Sequence, residues 1–171
     1  MKKLTLTQNT VYRFNLYDDI ETFDQYEEFF EEVPRFSSSD RVLLYINSPG
    51  GRVDVGVSII NTLNQCPAPI TAVVEGPSYS MASVIALACD DLLMLDNTFL
   101  MFHNYSTISY GKGAELMSSM HHNDRHMGKL MDDVCYPFLT KAELKKIKND
   151  QDIYIYDDDA TLDKRKARHF K

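Results

Sequence analysis

Two continuous apolar runs of strand length constrain the fold of this chain more than any other feature. They occupy residues 42–46 and 70–74, and each is followed by a glycine-containing turn and a helical pattern. A run without polar alternation is typical of a strand buried on both faces, as in a parallel sheet covered by helices. Two more strand candidates follow at 92–95 and 98–103. This alternation of strands and helices predicts an α/β domain with right-handed crossovers.

The segments that flank these strands are predicted to be mainly helical. Residues 18–32 hold eight acidic side chains and no basic one, and their apolar residues recur every three or four positions. This pattern predicts one acidic helix closed by Pro34. A long helix is expected from about Gly113 to Leu139, with Pro137 near its end, and a shorter helix at 142–148. Residues 153–156 are strand-like.

Length and composition limit the classes of function. The 171 residues, 44% hydrophobic and 25% charged, predict a single globular domain over 1–171. A net charge of −7 disfavours nucleic acid or an anionic membrane as the main partner. No apolar run reaches the roughly 18 residues of a membrane-spanning helix. The first residues lack the apolar core of a signal peptide, and three widely spaced cysteines favour a reducing compartment, so we expect a cytoplasmic location.

Two turns that follow the best strands hold the first candidate functional residues. Gly50 and Gly51 end the first turn, where glycines let backbone N–H groups point at a ligand, although a plain tight turn is the simpler interpretation. The lysine of a phosphate-binding loop is missing. Ser80 begins a helix directly after the second strand, where a nucleophile would meet the N–H groups of a helix N-terminus. The alternative is that Ser80 or Ser78 is only a helix cap.

A nucleophilic serine needs a base, and the histidines differ in their suitability. His103 ends a predicted strand and so reaches the same sheet edge as Ser80, although a hydrogen-bonded histidine at the core edge has the same pattern. His121, His122 and His126 lie on the long helix and are predicted to face solvent. His122 and His126, four residues apart, lack a further ligand at a fitting spacing, so no metal site is expected.

These pieces, in this order, resemble the Clp protease proteolytic subunit family, ClpP. Residues 45–51 read Y-I-N-S-P-G-G, which is similar to the family's strand-and-turn signature. Residues 76–83 read G-P-S-Y-S-M-A-S and resemble the family's G-x-A-x-S-M-G-A nucleophile segment. Residues 101–104 read M-F-H-N and are similar to the family's M-I-H-Q. The resemblance extends from about Val11 to about Ala160.

The resemblance implies a serine endopeptidase that uses no metal and no organic cofactor. It places Ser80 on the nucleophile and His103 on the general base, with the backbone N–H groups of Gly51 and Met81 as the oxyanion hole. Asp152 fits the triad acid best, because it lies 49 residues after His103 and two before an aromatic residue. Asp150 is the alternative acid.

The resemblance also implies a fold and an assembly. The fold is α/β with ClpP/crotonase-like repeated β-β-α spiral units and a protruding handle helix. The expected regions are an N-terminal extension at about 1–10, a handle region at about 111–150 and a basic tail at about 161–171. The implied partners are peptide or unfolded protein substrates, further copies in a homo-oligomeric ring (a heptamer or stacked heptamers) and an AAA+ ATPase. ATP would be used only by that ATPase.

Several residues depart from the family pattern. Gln151 stands where many members have an arginine, Asn104 and Tyr105 replace the family's Q-P, and residues 157–168 contain no glycine. These departures bear on ring number and ATPase dependence, and they would suit a divergent member of phage type or a small accessory paralogue. Other functions that remain open are a self-contained phage maturation protease, a crotonase-type acyl-CoA hydratase or isomerase, and a non-catalytic ClpP-like subunit.

Overall fold

A six-stranded, mostly parallel sheet organises the chain in the computed structural model, which describes residues 9–170. The strands are β1 (Val11–Ile20), β2 (Arg41–Gly51), β3 (Ile70–Tyr79), β4 (Asp91–Met94), β5 (Phe99–Phe102) and β6 (Ile153–Tyr156). The helices are α1 (Glu27–Glu32), α2 (Val53–Leu63), α3 (Met81–Leu87), α4 (Gly113–Cys135), α5 (Lys141–Lys148) and α6 (Leu162–His169). The predicted N-terminal extension lies almost wholly outside the described residues.

The strand order is β1-β2-β3-β5-β6, and β4 pairs with β3. All neighbours run parallel except β6, which is antiparallel to β5. The predicted α/β class is therefore confirmed. Because the carboxyl ends of β2, β3 and β5 lie at one edge of the sheet, the turns that follow these three strands meet there.

The central strand β2 alternates between buried and less buried positions instead of being buried on both faces. Val42, Leu44 and Ile46 are buried, whereas Leu43 and Tyr45 are half-buried. On the outward face, the Arg13 guanidinium of β1 lies 3.7 Å from the centre of the Tyr45 ring. The prediction of two apolar faces was thus wrong for β2, since a continuous apolar run does not by itself show that both faces are covered.

The prediction of one acidic helix over residues 18–32 was wrong. The segment 18–20 belongs to β1, whose Leu16 and Ile20 are buried and which pairs with β2 along its length. A 3₁₀ turn (Phe23–Tyr26), the short α1 and a second 3₁₀ turn (Val33–Arg35) follow. Strand pairing with β2 satisfies the backbone of β1, and this tertiary interaction outweighs the helical periodicity of the sequence.

The C-terminal third contains the predicted helices, but their bounds and their buried residues differ from the prediction. Helix α4 ends at Cys135 rather than at 139, since Tyr136 precedes a proline and adopts extended backbone angles. Only Met131 and Cys135 of α4 are buried, so the N-terminal part of its apolar stripe is solvent-exposed. The predicted basic tail contains α6, in which the buried Arg165 bonds to Glu143 of α5.

Candidate active site

Ser80 lies at the sharp junction between β3 and α3. Its φ of 54° and ψ of −123° are strained for a residue with a side chain, and such strain concentrates at functional sites. The Ser80 N–H donates to Met101 O of β5 at 2.8 Å, which fixes the junction against the neighbouring strand. All seven residues of α3 are buried, so the helix behind Ser80 is anchored in the core.

His103 follows β5 directly, and its Nε2 lies 2.7 Å from Ser80 Oγ. The structure therefore brings together the two side chains that the sequence singled out. Ser80 occupies the cap position of α3, but its hydroxyl makes no capping hydrogen bond and contacts His103 instead. The Ser78 hydroxyl has no partner within residues 9–170. Neither serine side chain thus serves as a helix cap.

Gly50 and Gly51, predicted to lie in a turn, are the last two residues of β2 and allow two backbones to approach closely. Gly50 has a φ of 88°, and a Cβ placed on it would lie 2.8 Å from Ser80 Cβ and 2.9 Å from Met81 N. Gly51 has a φ of 147°, and a Cβ there would lie 2.8 Å from the backbone nitrogen of Ile20 in β1. Only glycine fits at either position, so the end of β2 can pack closely against the start of α3 on one side and against β1 on the other.

Gly51, Ser80, Met81 and His103 line one small cleft together with side chains of the loop after β5 and of α4, among them Tyr105 and Met127. A larger cavity of about 270 Å³ shares His103 and Tyr105 with the cleft and extends to Lys148 of α5. Four of the five residues predicted for the site therefore surround a single opening beside the Ser80 hydroxyl.

Asp152, the fifth predicted residue, lies near His103 without contacting it by a hydrogen bond. The last pair of the β5–β6 ladder is Phe102 with Ile153, so one further step of this antiparallel register sets Asp152 opposite His103. Asp152 is exposed, and within residues 9–170 no carboxylate is hydrogen-bonded to His103. Asp150 instead accepts a hydrogen bond from Asn104 Nδ2 at 2.9 Å.

Sequence reasoning missed the loop that connects His103 to α4. Asn104 bonds to Asp150, and the Tyr105 hydroxyl donates to Asp124 of α4 at 2.7 Å. This hydrogen bond to Asp124 raises the pKa of the Tyr105 hydroxyl. The only sequence signal for these contacts was the replacement of the family's Q-P by Asn104 and Tyr105.

Other titratable groups are poorly placed for catalysis. Burial raises the pKa of the Cys89 and Cys135 thiols, which keeps them neutral at physiological pH. The His122 and His126 rings are stacked and exposed on α4, with their centres 6.2 Å apart. Between residues 9 and 170, no group of three or more histidine, cysteine or acidic side chains is arranged to hold a metal ion. Within the same range, no helix has the length and apolar character needed to cross a membrane.

The protein-family model described as Clp protease matches residues 33–168, which include all five predicted site residues. The chain belongs to the Clp protease family. The relatives of this chain described below are named ATP-dependent Clp protease proteolytic subunit. One from Ligilactobacillus salivarius (strain UCC118) is 34% identical over 87 residues, 50% of this chain and 44% of that protein. Another, from Oltmannsiellopsis viridis, is 29% identical over 119 residues, 67% of this chain and 58% of that protein.

A third relative of this Clp protease family member comes from Leuconostoc citreum (strain KM20). It is 41% identical over 64 residues, which is 36% of this chain and 32% of that protein. The chain thus spans between about a third and three fifths of the length of these three relatives.

Proposed function

We propose that this chain is a serine-type endopeptidase that hydrolyses peptide bonds in peptides or unfolded proteins. The observation that carries the proposal is the 2.7 Å separation between Ser80 Oγ and His103 Nε2 in a strained strand-to-helix junction. A hydroxyl becomes a useful nucleophile when an adjacent base accepts its proton, and this distance lies within hydrogen-bond reach.

In the proposed reaction, Ser80 Oγ attacks the peptide carbonyl while His103 Nε2 takes the hydroxyl proton. His103 then gives this proton to the leaving amine, and the peptide is cleaved with an acyl group left on Ser80. Water, activated by the same imidazole, attacks the acyl carbon and releases the carboxylic acid, so Ser80 regains its proton. His103 accepts or donates the proton in every step, so no metal or organic cofactor takes part in the proposed mechanism.

Backbone N–H groups of Met81 and Gly51 are proposed to stabilise the oxyanion. Met81 opens α3, and the first N–H groups of a helix have no partner inside the helix. The Arg52 N–H donates to Ile20 O of β1. Because N–H directions alternate along an extended strand, the Gly51 N–H points away from β1, toward the side where Ser80 lies. Losing one such donor typically lowers kcat about 10²–10³-fold.

Asp152 is proposed as the acid that orients His103. The strand register supports this choice, since it sets Asp152 opposite His103, whereas the Asp150 carboxylate already accepts a hydrogen bond from Asn104. Asp152 is exposed, so its side chain is free to change rotamer, and we propose that such a change brings an oxygen toward His103 Nδ1. Such a contact would hold the imidazole in the tautomer whose Nε2 can accept the Ser80 proton.

The proposal includes assembly into a homo-oligomeric ring, with an AAA+ ATPase as a partner that delivers unfolded chains. The start of the predicted handle region (about 111–150) and the loop just before it support assembly, because several of their apolar side chains are exposed. Ile108 and Tyr110 are 84% and 93% exposed, and Met117 and Met120 are each more than half exposed. A multi-angle light-scattering mass of several protomers supports the ring, and a monomer mass at micromolar concentration contradicts it.

The test of the activity is labelling with a fluorophosphonate serine probe, followed by peptide mapping. The wild type is compared with Ser80→Ala and His103→Ala, and with Ser106→Ala, a matched serine of the same cleft. Labelling of Ser80 that His103→Ala abolishes and Ser106→Ala preserves supports an activated nucleophile. Absence of label on an assembled oligomer contradicts the proposal and identifies a non-catalytic subunit. The mass of each sample is recorded, since an unassembled triad can be unreactive.

A further inference from the structure

We propose that the hydrogen bond between Asn104 and Asp150 is a latch that positions Asp152 opposite His103. Asn104 and Asp150 are positioning residues in this proposal, which rests on the proposed function, since only a triad needs Asp152 at that place. The latch joins the residue directly after His103 to the turn directly before Asp152. It therefore controls the separation of the two chain segments that carry the base and the acid.

The turn before β6 has a defined geometry. Helix α5 ends at Lys148 with Asn149 as its C-cap, and the Gln151 N–H donates to Lys146 O at 3.1 Å while the Asp150 N–H donates to Ile147 O at 3.0 Å. This pair of bonds is the Schellman arrangement, in which the residue after the helix cap adopts a left-handed conformation. Asp150 occupies that position with a φ of 58°, where glycine is the usual residue. Aspartate tolerates this conformation less well than glycine but better than most residues with a side chain, and here its carboxylate also makes a tertiary contact.

Both polar atoms of the Asn104 side-chain amide make hydrogen bonds. Its Nδ2 donates to Asp150 Oδ1 at 2.9 Å, and its Oδ1 accepts the Tyr105 backbone N–H at 3.0 Å. The second bond fixes the direction of the amide, so the first can form without a further loss of side-chain freedom. The acceptor is a carboxylate, and hydrogen bonds to ionised groups are stronger than neutral ones. Together these contacts explain why an aspartate stands where glycine would relieve the backbone.

The latch and the strand ladder bracket the His103–Asp152 pair. On one side the ladder ends with Phe102 opposite Ile153. On the other side the latch joins Asn104 to Asp150. With connections on both sides, the latch restrains the backbones of His103 and Asp152 from separating, so that a turn of the Asp152 side chain can complete the triad. Loss of the latch removes the restraint on one side, and the β5–β6 ladder keeps the restraint on the other.

The test measures the second-order rate of Ser80 labelling by the fluorophosphonate probe. Asn104→Ala removes the donor and is expected to lower the rate about 10–100-fold, the size of loss typical when a catalytic group is misplaced by about 1 Å. The exchange of both residues, Asn104→Asp with Asp150→Asn, reverses donor and acceptor and is expected to restore most of the rate. Asp158→Ala, an exposed acid of the same region, is the matched control and is expected to have no effect.

Asp150→Gly separates positioning from folding. Glycine is favoured at a φ of 58°, so this variant is expected to keep or raise the midpoint of thermal unfolding while the labelling rate falls. A variant that is stable and slow supports the latch. A rate equal to that of the wild type overturns it.

A double-mutant cycle shows whether the latch acts through Asp152. In an Asp152→Asn background, Asn104→Ala is expected to cause no further loss, since the group that the latch positions is already disabled. An additional loss of the same size as in the wild type contradicts the proposal.

An amide hydrogen-exchange measurement tests the latch without any need for activity. The amides of residues 149–152 should exchange faster in Asn104→Ala than in the wild type, and slowly again in the Asn104→Asp, Asp150→Asn double variant. If the wild type is not labelled as an assembled oligomer, the proposed function fails, and unchanged exchange in Asn104→Ala is what overturns the latch.

Discussion

The nucleophile half and the acid half of the candidate site are built in different ways. Ser80 lies between a central strand and a wholly buried helix, and its hydroxyl contacts His103 at 2.7 Å. Asp152 lies beyond the last pair of an edge ladder, is exposed, and has no hydrogen bond to His103. The first half is held by the core of a single chain. The second depends on a turn and a surface hydrogen bond.

This difference shows which part of the candidate site a single chain holds in place by itself. Moving Ser80 would require the core around α3 to move, whereas moving Asp152 requires only a rotamer change or a shift of the 149–152 turn. We therefore expect substitutions near Ser80 to change stability and labelling together. Substitution of the exposed Asp152 should change labelling alone.

The largest expected effect is on the acid half. Asp152→Asn should lower the rate of Ser80 labelling about 10⁴-fold, because the imidazole loses the carboxylate that selects its tautomer. The midpoint of thermal unfolding should not change, since the side chain is exposed. Asp158→Asn serves as the control. A small effect on labelling would show that another carboxylate orients His103.

The next effect concerns the helices that carry the turn before Asp152. The two terminal nitrogens of the Arg165 guanidinium donate hydrogen bonds to the two carboxylate oxygens of Glu143, at 3.0 and 2.8 Å. Glu143→Gln should destabilise the protein by about 3–5 kcal/mol, because it leaves a largely buried guanidinium without its counter-charge. Equilibrium denaturation in urea measures this loss. Asp133→Asn breaks the exposed pair with Lys129 and should cost less than about 1 kcal/mol.

The same ion pair predicts a pH dependence of stability. Burial opposes ionisation of Glu143, but hydrogen bonds from Arg165 and Thr140 outweigh it and lower its pKa from 4.5 to about 2. The folded pKa lies below the unfolded one, so this stabilisation is fully present above pH 4.5 and is lost as the pH falls toward 2. Denaturation curves of the wild type and Glu143→Gln should therefore converge over this range. Parallel curves would contradict the assignment.

A smaller effect is expected in the nucleophile half. A Cβ on Gly56 of α2 would lie 2.6 Å from Met81 Cε and would also overlap atoms closer to the Met81 backbone. Gly56→Ala should destabilise the protein by about 1–3 kcal/mol through overpacking, and it should slow labelling because Met81 follows the nucleophile. Gly113→Ala is the control, since a Cβ there meets no atom within 4 Å. Thermal unfolding and probe labelling of both variants decide the outcome.

The smallest expected effect concerns a buried hydroxyl in the nucleophile half of the site. The Ser78 hydroxyl is fully buried and has no hydrogen-bond partner in the described part of the chain. Ser78→Ala should be neutral or stabilise the protein by about 1 kcal/mol, because a buried unsatisfied hydroxyl is removed. A clear loss of stability, measured by denaturation in urea, would show that this hydroxyl has a partner in solution.

Much of the nucleophile half could be predicted from local sequence. Ser80 and His103 each follow an apolar strand directly, and parallel neighbours bring their carboxyl ends to one edge. The acid half could not be predicted in the same way, because Asp150 and Asp152 lie on the same short turn and both fit the spacing. The register of β5 with β6 and the Asn104 contact separate them, and neither is a local property. The choice of Asp152 stays a prediction.

The sequence by itself determined the α/β class, the central strands β2 and β3, the order of Ser80 and His103, and the long helix after them. These depend on side-chain periodicity and on backbone restrictions at glycine and proline, which act over a few residues. Only the tertiary structure decided that residues 18–20 are a strand, that one face of β2 is less covered, and that the basic segment docks through Arg165. Each of these depends on a partner segment distant in sequence, and pairing or burial against that partner outweighs the local preference.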